Sequence, residues 1–191
     1  MGGSISKEVC TGCKMCGDIC PTNAISFQTD FDGCWYPNVD NEKCVKCGLC
    51  EKKCPALHIM PSQKEKDPVV YAAWTKDDRI RYNSTSGGIY YELAKSFIEQ
   101  GGYIAGCAFS EDYKTAKHIL GKTEHDLQEI MGSKYFQSDT AGIYKAVLKL
   151  LKQGEKVLFC GTPCQVAALR SYVGKDYENL FLLDFICKGI N

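Results

Sequence analysis

The sequence predicts an α+β unit at the N-terminus followed by an α/β domain. A cysteine pattern occurs twice between residues 10 and 55, and each copy is expected to form a tight loop, one short helix and one strand of a small hairpin. From residue 69 onward, apolar strand-like segments alternate with amphipathic helical segments. Such alternation is typical of a mainly parallel sheet covered by helices.

Both cysteine runs have the spacing C-x-x-C-x-x-C-x-x-x-C-P. In bacterial ferredoxins this run holds two 4Fe–4S clusters, and the fourth cysteine of each run ligates the other cluster. The first predicted cluster has the ligands Cys10, Cys13, Cys16 and Cys54. The second has the ligands Cys44, Cys47, Cys50 and Cys20. We expect this ferredoxin-like two-cluster domain to span residues 1–60.

Structural zinc is the alternative for these cysteines, because C-x-x-C pairs also form zinc sites. Zinc normally takes four ligands in two pairs, and neither the third cysteine of each run nor the crossed fourth cysteine fits that arrangement. Gly12, Gly17 and Gly48 let the backbone approach a cluster closely. The pattern therefore favours iron–sulfur clusters.

Composition excludes several classes of protein. The 191 residues include 23 basic and 23 acidic ones, and a formal charge of zero argues against nucleic-acid binding. The 13 cysteines could indicate a secreted disulfide scaffold, but no apolar signal segment follows Met1. No apolar run approaches the roughly 18 residues of a membrane span. We therefore expect a cytoplasmic protein.

The elements can be placed in order. The N-terminal hairpin is expected at residues 24–27 and 34–39, with a turn at Asp32 and Gly33. Residues 61–68, polar and flanked by prolines, are expected to form a linker. In the α/β domain (residues 69–191), strands are expected at residues 69–74, 103–109, 117–120, 157–160 and 180–186. Helices are expected at residues 89–100, 126–131, 140–153 (capped by Asp139 or Thr140) and 163–172.

Three segments of the α/β domain could carry chemistry. Residues 84–88 (Ser-Thr-Ser-Gly-Gly) precede a helix and form either an anion-binding cradle or an ordinary N-cap. Residues 132–135 (Gly-Ser-Lys-Tyr) place a lysine on a loop. Residues 161–165 (Gly-Thr-Pro-Cys-Gln) place Cys164 in a first helical turn, where the helix dipole favours a thiolate. A structural cysteine is the alternative there.

These segments resemble the coenzyme F-420 hydrogenase/dehydrogenase beta subunit family. The matching pieces are residues 84–88, 132–135, 157–165 and 184–189, and an N-terminal two-cluster ferredoxin is common in that family. The resemblance implies FAD, which would pass electrons between iron–sulfur clusters and a hydride carrier such as F-420. The implied flavin-binding residues are Ser86, Gly87, Gly88, Lys134, Gly161 and Thr162.

The chain differs from the family at its C-terminal end. It has Lys188 where the family usually has histidine, and family members generally continue further, so we expect the α/β domain to be incomplete at its C-terminus. Cys164 and Cys187 are candidate ligands of a further 4Fe–4S cluster, or redox-active thiols. Cys107 and Cys160 lie within predicted strands and are expected to be structural.

The sequence thus predicts an iron–sulfur oxidoreductase subunit that exchanges electrons with a redox partner protein and hydride with a small molecule. Two other functions stay open. One is an electron carrier whose α/β domain only docks to a partner. The other is a ferredoxin-linked thiol/disulfide reductase with Cys164 as the catalytic nucleophile.

Overall fold

The computed structural model describes residues 6–58 and 68–189. The predicted linker therefore lies outside the described residues, except for Pro68. The N-terminal unit contains helix α1 (Met15–Ile19), strands β1 (Ile25–Thr29) and β2 (Trp35–Val39), and helix α2 (Leu49–Lys52). The two strands form the expected antiparallel hairpin, with Ile25 opposite Val39. Gly33 occupies the predicted turn at φ 82°, a conformation that suits glycine.

An α/β region with a mixed sheet follows. Its helices are α3 (Asp78–Asn83), α4 (Ile89–Glu99), α5 (Glu124–Ile130), α6 (Ile143–Lys152) and α7 (Pro163–Val173). Its strands are β3 (Tyr103–Phe109), β4 (Ala116–Gly121), β5 (Ser138–Asp139), β6 (Val157–Gly161) and β7 (Leu180–Asp184). The strand order is β5-β4-β3-β6-β7. Strands β3, β6 and β7 run parallel to one another, whereas β4 is antiparallel to β3.

The two faces of the sheet are covered by different helices. Successive side chains of a strand point to opposite faces of the sheet. On one face, Ile104 of β3 and Leu158 of β6 pack with residues of α4 and α5. Ala105 and Phe159 point to the opposite face, against α6 and α7. This second cluster also contains Met15 of the N-terminal unit, which is 1% exposed. The N-terminal unit therefore shares the apolar core on the α6/α7 side of the sheet.

Two expectations about the α/β region were wrong. Residues 69–74 do not form a buried strand; they have no regular structure, and Val70 is 88% exposed. An apolar, β-branched segment becomes a buried strand only where a neighbouring strand or face can receive it. Helix α6 begins at Ile143 rather than residue 140, and neither Asp139 nor Thr140 is its N-cap residue, which is Gly142.

Candidate metal centres

The first group of predicted ligands lies around one cavity. Its lining includes Cys10, Cys13, Cys16 and, from the second run, Cys54. Gly12 and Lys14 have positive φ values of 65° and 58°, and these two left-handed residues bend the loop. Helix α1 begins immediately after the loop and carries Cys16 in its first turn.

The second group lies around a second cavity. Its lining includes Cys44, Cys47, Cys50 and, from the first run, Cys20. Lys46 and Gly48 have positive φ values of 54° and 71°, so the second loop repeats the bends of the first. The structure thus gathers the cysteines in the two groups that the sequence predicts.

The short helix after each loop explains why the fourth cysteine of each run lines the cavity of the other run. Cys16 lies in the first turn of α1, whereas Cys20 is its C-cap residue. At 1.5 Å per residue, four residues separate the two positions by about 6 Å along the helix. Cys50 likewise lies in the first turn of α2, and Cys54 lies one residue beyond its C-cap residue, Lys53. Helix α2 packs against α1. Each helix therefore sends one cysteine to each cavity.

The spacing of the sulfurs bears on the choice between a cluster and a single zinc ion. Four sulfurs bound to one zinc at about 2.3 Å would lie roughly 4 Å apart. Within residues 6–58 and 68–189, only His125, Asp126 and Glu129 bring three ligand atoms within 4.8 Å of one another. Among these described residues, no three cysteine sulfurs lie as close together as the ligands of one zinc ion. The repeated C-x-x-C-x-x-C spacing with a crossed fourth cysteine is that of 4Fe–4S clusters.

Burial disfavours free thiolates at four of the predicted ligand positions. Burial raises the pKa of Cys13 to about 11, and burial also raises the pKa values of Cys10, Cys16 and Cys50. Cys20 differs, because amides including that of Ala24 together outweigh burial and lower its pKa. Thiolates gathered at buried positions repel one another, and bound iron offsets that cost because metal ligands must be deprotonated.

Asp18 joins the first cysteine run to the α/β region. Its carboxylate accepts hydrogen bonds from the amides of Gly142 (2.7 Å), Tyr144 (3.2 Å) and Lys145 (3.4 Å). These amides belong to the start of α6, which would otherwise lack acceptors there. The cap of α6 therefore comes from a residue in the N-terminal unit, which explains why no nearby side chain performs that role.

The loop of the first cavity makes further contacts with the α/β region. The carbonyl oxygen of Cys13 accepts hydrogen bonds from the hydroxyls of Thr140 (2.7 Å) and Tyr144 (2.9 Å). Lys14 is 7% exposed, and its ammonium lies 2.9 Å from a carboxylate oxygen of Asp139. The same ammonium lies 3.5 Å from the centroid of the Trp35 ring. The first loop is therefore held between the two parts of the chain.

Two of the segments that the resemblance implies in flavin binding contact each other. The amide of Ser133 donates to the hydroxyl of Thr85 over 2.8 Å, which brings residues 84–88 and 132–135 together. Gly88 is the N-cap residue of α4, and Gly87 lies so close to the Ala73 carbonyl that a Cβ there would be 2.7 Å away. The hydroxyl of Ser86 accepts a hydrogen bond from the neighbouring Gly87 amide.

Lys134 does not present a free charge to an anion. Its ammonium donates to the carbonyl oxygens of Glu129, Ile130, Met131 and Gly132, at 2.7–3.3 Å. These carbonyls end helix α5, so Lys134 acts as a C-terminal cap for that helix. Its expected role in flavin binding would require this arrangement to change.

The third segment forms the start of α7. Thr162 and Gln165 make a capping box, and Pro163 occupies the first turn as predicted. The Cys164 sulfur lies 3.1 Å from the Thr162 hydroxyl, and its thiolate would repel that of Cys13. Gly161 ends β6, and a Cβ there would lie 3.0 Å from Gln165 Oε1. Cys187 is exposed, with its sulfur near the Gly189 carbonyl.

A buried polar network at the ends of β4 and β6 was missed by the sequence reasoning. His118 Nε2 lies 3.2 Å from the Cys160 carbonyl, and its Nδ1 lies 3.0 Å from the Ser138 hydroxyl. Gln165 Nε2 donates to the same hydroxyl over 2.8 Å. A carbonyl only accepts, so His118 carries its proton on Nε2 and accepts from Ser138 at Nδ1. Burial lowers the pKa of His118 to about 4, which keeps the ring neutral.

Tyr90 adds a buried group without a partner. Its hydroxyl has no hydrogen-bond partner among the described residues, and it lies about 3.5 Å from where a Cβ on Gly106 would sit. Burial raises its pKa, and a thiolate at Cys160 would raise it further. The sequence shows that residue 90 is a tyrosine, but it gives no indication that the hydroxyl is buried away from hydrogen-bond partners.

Comparison with known proteins supports the N-terminal assignment. Residues 9–57 match the 4Fe–4S dicluster domain family. An uncharacterized ferredoxin of Methanocaldococcus jannaschii is 31% identical over 68 residues, covering 33% of this chain and 87% of that ferredoxin. NADH-quinone oxidoreductase subunit I of Pelobacter propionicus is 33% identical over 65 residues, covering 30% of this chain and 35% of the subunit.

One relative extends over both parts of the chain. An uncharacterized protein of Methanocaldococcus jannaschii is 24% identical over 198 residues, covering 90% of this chain. The chain spans only 54% of that relative's length. In the described parts of the chain, no helix is long and apolar enough to cross a membrane.

Proposed function

We propose that this chain, which over residues 9–57 belongs to the 4Fe–4S dicluster ferredoxin family, carries single electrons between its α/β region and a redox partner protein. The grouping of eight cysteines around two cavities carries this proposal. Bound 4Fe–4S clusters supply one-electron redox chemistry. The ferredoxin-type and oxidoreductase-subunit relatives support electron transfer.

The protein's own contribution is to hold the sulfurs and to exclude water. Residues Cys10, Cys13, Cys16 and Cys54 would hold one cluster, and Cys20, Cys44, Cys47 and Cys50 the other. Each loop has two residues with positive φ, and successive amides of such bent loops can converge on one side. These amides would donate to cluster sulfides. Met15, 1% exposed, keeps the first cavity dry on the side of the α/β core.

Metal and sulfide analysis of the anaerobically prepared chain tests this assignment. We expect about eight iron and eight sulfide per chain, the content of two 4Fe–4S clusters. Cys54→Ser should lose about half of the iron, whereas Cys34→Ser, which changes a cysteine outside both groups, should keep all of it. Stoichiometric zinc in place of iron, or equal iron loss in both variants, would contradict the proposal.

We further propose that the carboxyl ends of β3 and β6 bind a flavin that exchanges hydride with a soluble carrier such as F-420. Ligands of α/β proteins bind at such strand ends. Residues 84–88 and 132–135 contact each other, and the Lys134 ammonium lies 6.0 Å from the ring centroid of Phe109, which ends β3. The Tyr90 hydroxyl, which has no partner among the described residues, interacts electrostatically with Cys160 of β6. The fit is partial, because the ammonium of Lys134 is already satisfied by four carbonyls.

A flavin bound there would supply the conversion of a hydride into two single electrons. In this arrangement the backbone glycines Gly87, Gly88 and Gly161 would permit close approach, and Ser86 and Thr162 would offer hydroxyls. Tyr90 would donate its hydroxyl hydrogen to the bound group. Extraction of the folded chain and identification of any released flavin tests this proposal. Tyr90→Phe should weaken flavin binding, and a chain that takes up no flavin after incubation with FAD would overturn the proposal.

A further inference from the structure

The two cysteine loops carry the same two backbone bends but exchange the residues that form them. In the first loop the bends are Gly12 and then Lys14; in the second they are Lys46 and then Gly48. The bends have nearly equal φ values, between 54° and 71°. The loops are therefore alike in backbone shape, and they differ in which bend carries a side chain.

The first loop is enclosed by the α/β region. A Cβ on Gly12 would lie 2.2 Å from Gln137 Nε2 and 3.2 Å from the Trp35 carbonyl, so the first bend has no room for a side chain. Gln137 Oε1 in turn accepts a hydrogen bond from the Trp35 amide. At the second bend, Lys14 is only 7% exposed and pairs with Asp139.

The second loop faces solvent. A Cβ on Gly48 would meet nothing within 4 Å, and Lys46 and Cys47 are exposed. Val45 is 62% exposed and Leu49 is 37% exposed, although both line the second cavity. The outer wall of the second cavity is therefore also a protein surface.

The segment that forms this surface carries more basic than acidic residues. Residues 44–54 contain Lys46, Lys52 and Lys53 against the single acid Glu51. Lys46 and Lys52 are exposed. An acidic protein approaching this face would be attracted, and the attraction would raise its association rate.

We propose that the two centres have different roles: the first, enclosed by the α/β region, exchanges electrons internally, and the second is the docking site for an acidic redox carrier protein. The docking surface consists of Val45, Lys46, Leu49 and Lys52. This inference rests on the proposed function. Each encounter passes one electron, so the second centre is oxidised by one equivalent as the carrier is reduced by one, or the reverse.

Stopped-flow kinetics test the docking surface. The chain with its clusters is reduced with titanium(III) citrate, freed of excess reductant and mixed with an oxidised acidic flavodoxin as the probe. We expect Lys46→Glu to lower the second-order rate constant about tenfold at low ionic strength, because steering of this kind contributes factors of 10 or more. The loss should vanish near 1 M salt, where the Debye length is about 3 Å.

Two further variants serve as a second test of the surface and as a control. Lys52→Glu makes the same charge change on α2, away from the left-handed bend, and should slow the reaction if Lys46→Glu fails to fold. Lys152→Glu makes the change on α6, distant in sequence from both loops, and should leave the rate unchanged. Equal rates for wild type and Lys52→Glu, or a slower Lys152→Glu, would overturn the inference.

Iron content separates this failure from failure of the proposed function. A chain without iron–sulfur clusters refutes the function itself. A chain with full iron content and normal reduction, whose rate is indifferent to charge at Lys46 and Lys52, refutes only the docking surface.

Discussion

Replacing Asp18 with alanine should weaken the junction between the cysteine-rich unit and the α/β region. Asp18 is 6% exposed, and its carboxylate accepts from the amides of Gly142, Tyr144 and Lys145. Loss of a cap costs about 1–2 kcal/mol, and buried amides left without an acceptor add about 1 kcal/mol. We therefore expect Asp18→Ala to lower the free energy of unfolding by about 2–3 kcal/mol.

The role of the charge can be separated from that of the hydrogen bonds. Burial raises the pKa of Asp18, and the amides at the start of α6 oppose that rise. Because the net shift is upward, the negative charge itself adds no net stability, and the contribution of Asp18 comes from its acceptor geometry. Asp18→Asn keeps one side-chain oxygen acceptor but places an NH2 donor where the other carboxylate oxygen accepts. Its loss of stability should therefore be smaller than that of Asp18→Ala.

Thermal unfolding of the anaerobic chain with its clusters measures these differences. For a chain of this size, 2–3 kcal/mol corresponds to a decrease in Tm of roughly 4–12 °C. Asp176→Ala, which alters an exposed aspartate, is the control and should change Tm by less than about 2 °C. An Asp18→Ala variant with the Tm of the control would refute the assignment of Asp18 as the cap of α6.

Three further outcomes are expected. Gly12→Ala should reduce iron content and Tm more than Gly48→Ala, because both have positive φ but only the first displaces Gln137; equal losses would contradict this. Burial lowers the pKa of His118 from 6.5 to about 4, so protonation favours the unfolded chain as pH falls. Stability should be complete above about pH 6.5 and decrease by up to about 3 kcal/mol toward pH 4, and His118→Gln should remove that decrease in urea titrations at each pH. Lys14→Met should cost about 1–2 kcal/mol through lost cation–π and ion-pair contacts, without the iron loss expected of a ligand variant.

The cysteine grouping could be predicted because it depends on local sequence. Three cysteines in a seven-residue loop are bound to lie near one another, and the short helix after each loop fixes where the fourth cysteine points. The boundaries of β3 and the start of α7 were predicted for the same reason, since Gly101 ends α4 and Pro163 suits a first helical turn.

Features that depend on distant contacts could not be predicted in this way. The cap of α6 comes from Asp18, more than a hundred residues earlier in the chain. Residues 69–74 have the composition of a buried strand but are exposed. Composition does not reveal whether a neighbouring strand is available. The loop position of Lys134 was predicted, whereas its use as a cap for α5 follows from how that helix ends.

The two loops also show what a repeated motif leaves undetermined. Their cysteine spacing is the same, yet one is enclosed by Gln137 and Asp139 and the other faces solvent. Only the packing of the α/β region makes them different. In the sequence, this difference corresponds to the exchange of glycine and lysine between the two bends.

A reductive titration that counts electrons tests the central claim most directly. The anaerobic chain with its clusters should take up about two electrons, one for each 4Fe–4S centre, and about two more if a flavin is bound. The iron–sulfur absorbance should decrease in proportion to the two electrons taken up by the 4Fe–4S centres. A folded chain that binds zinc and takes up no electrons would contradict the account.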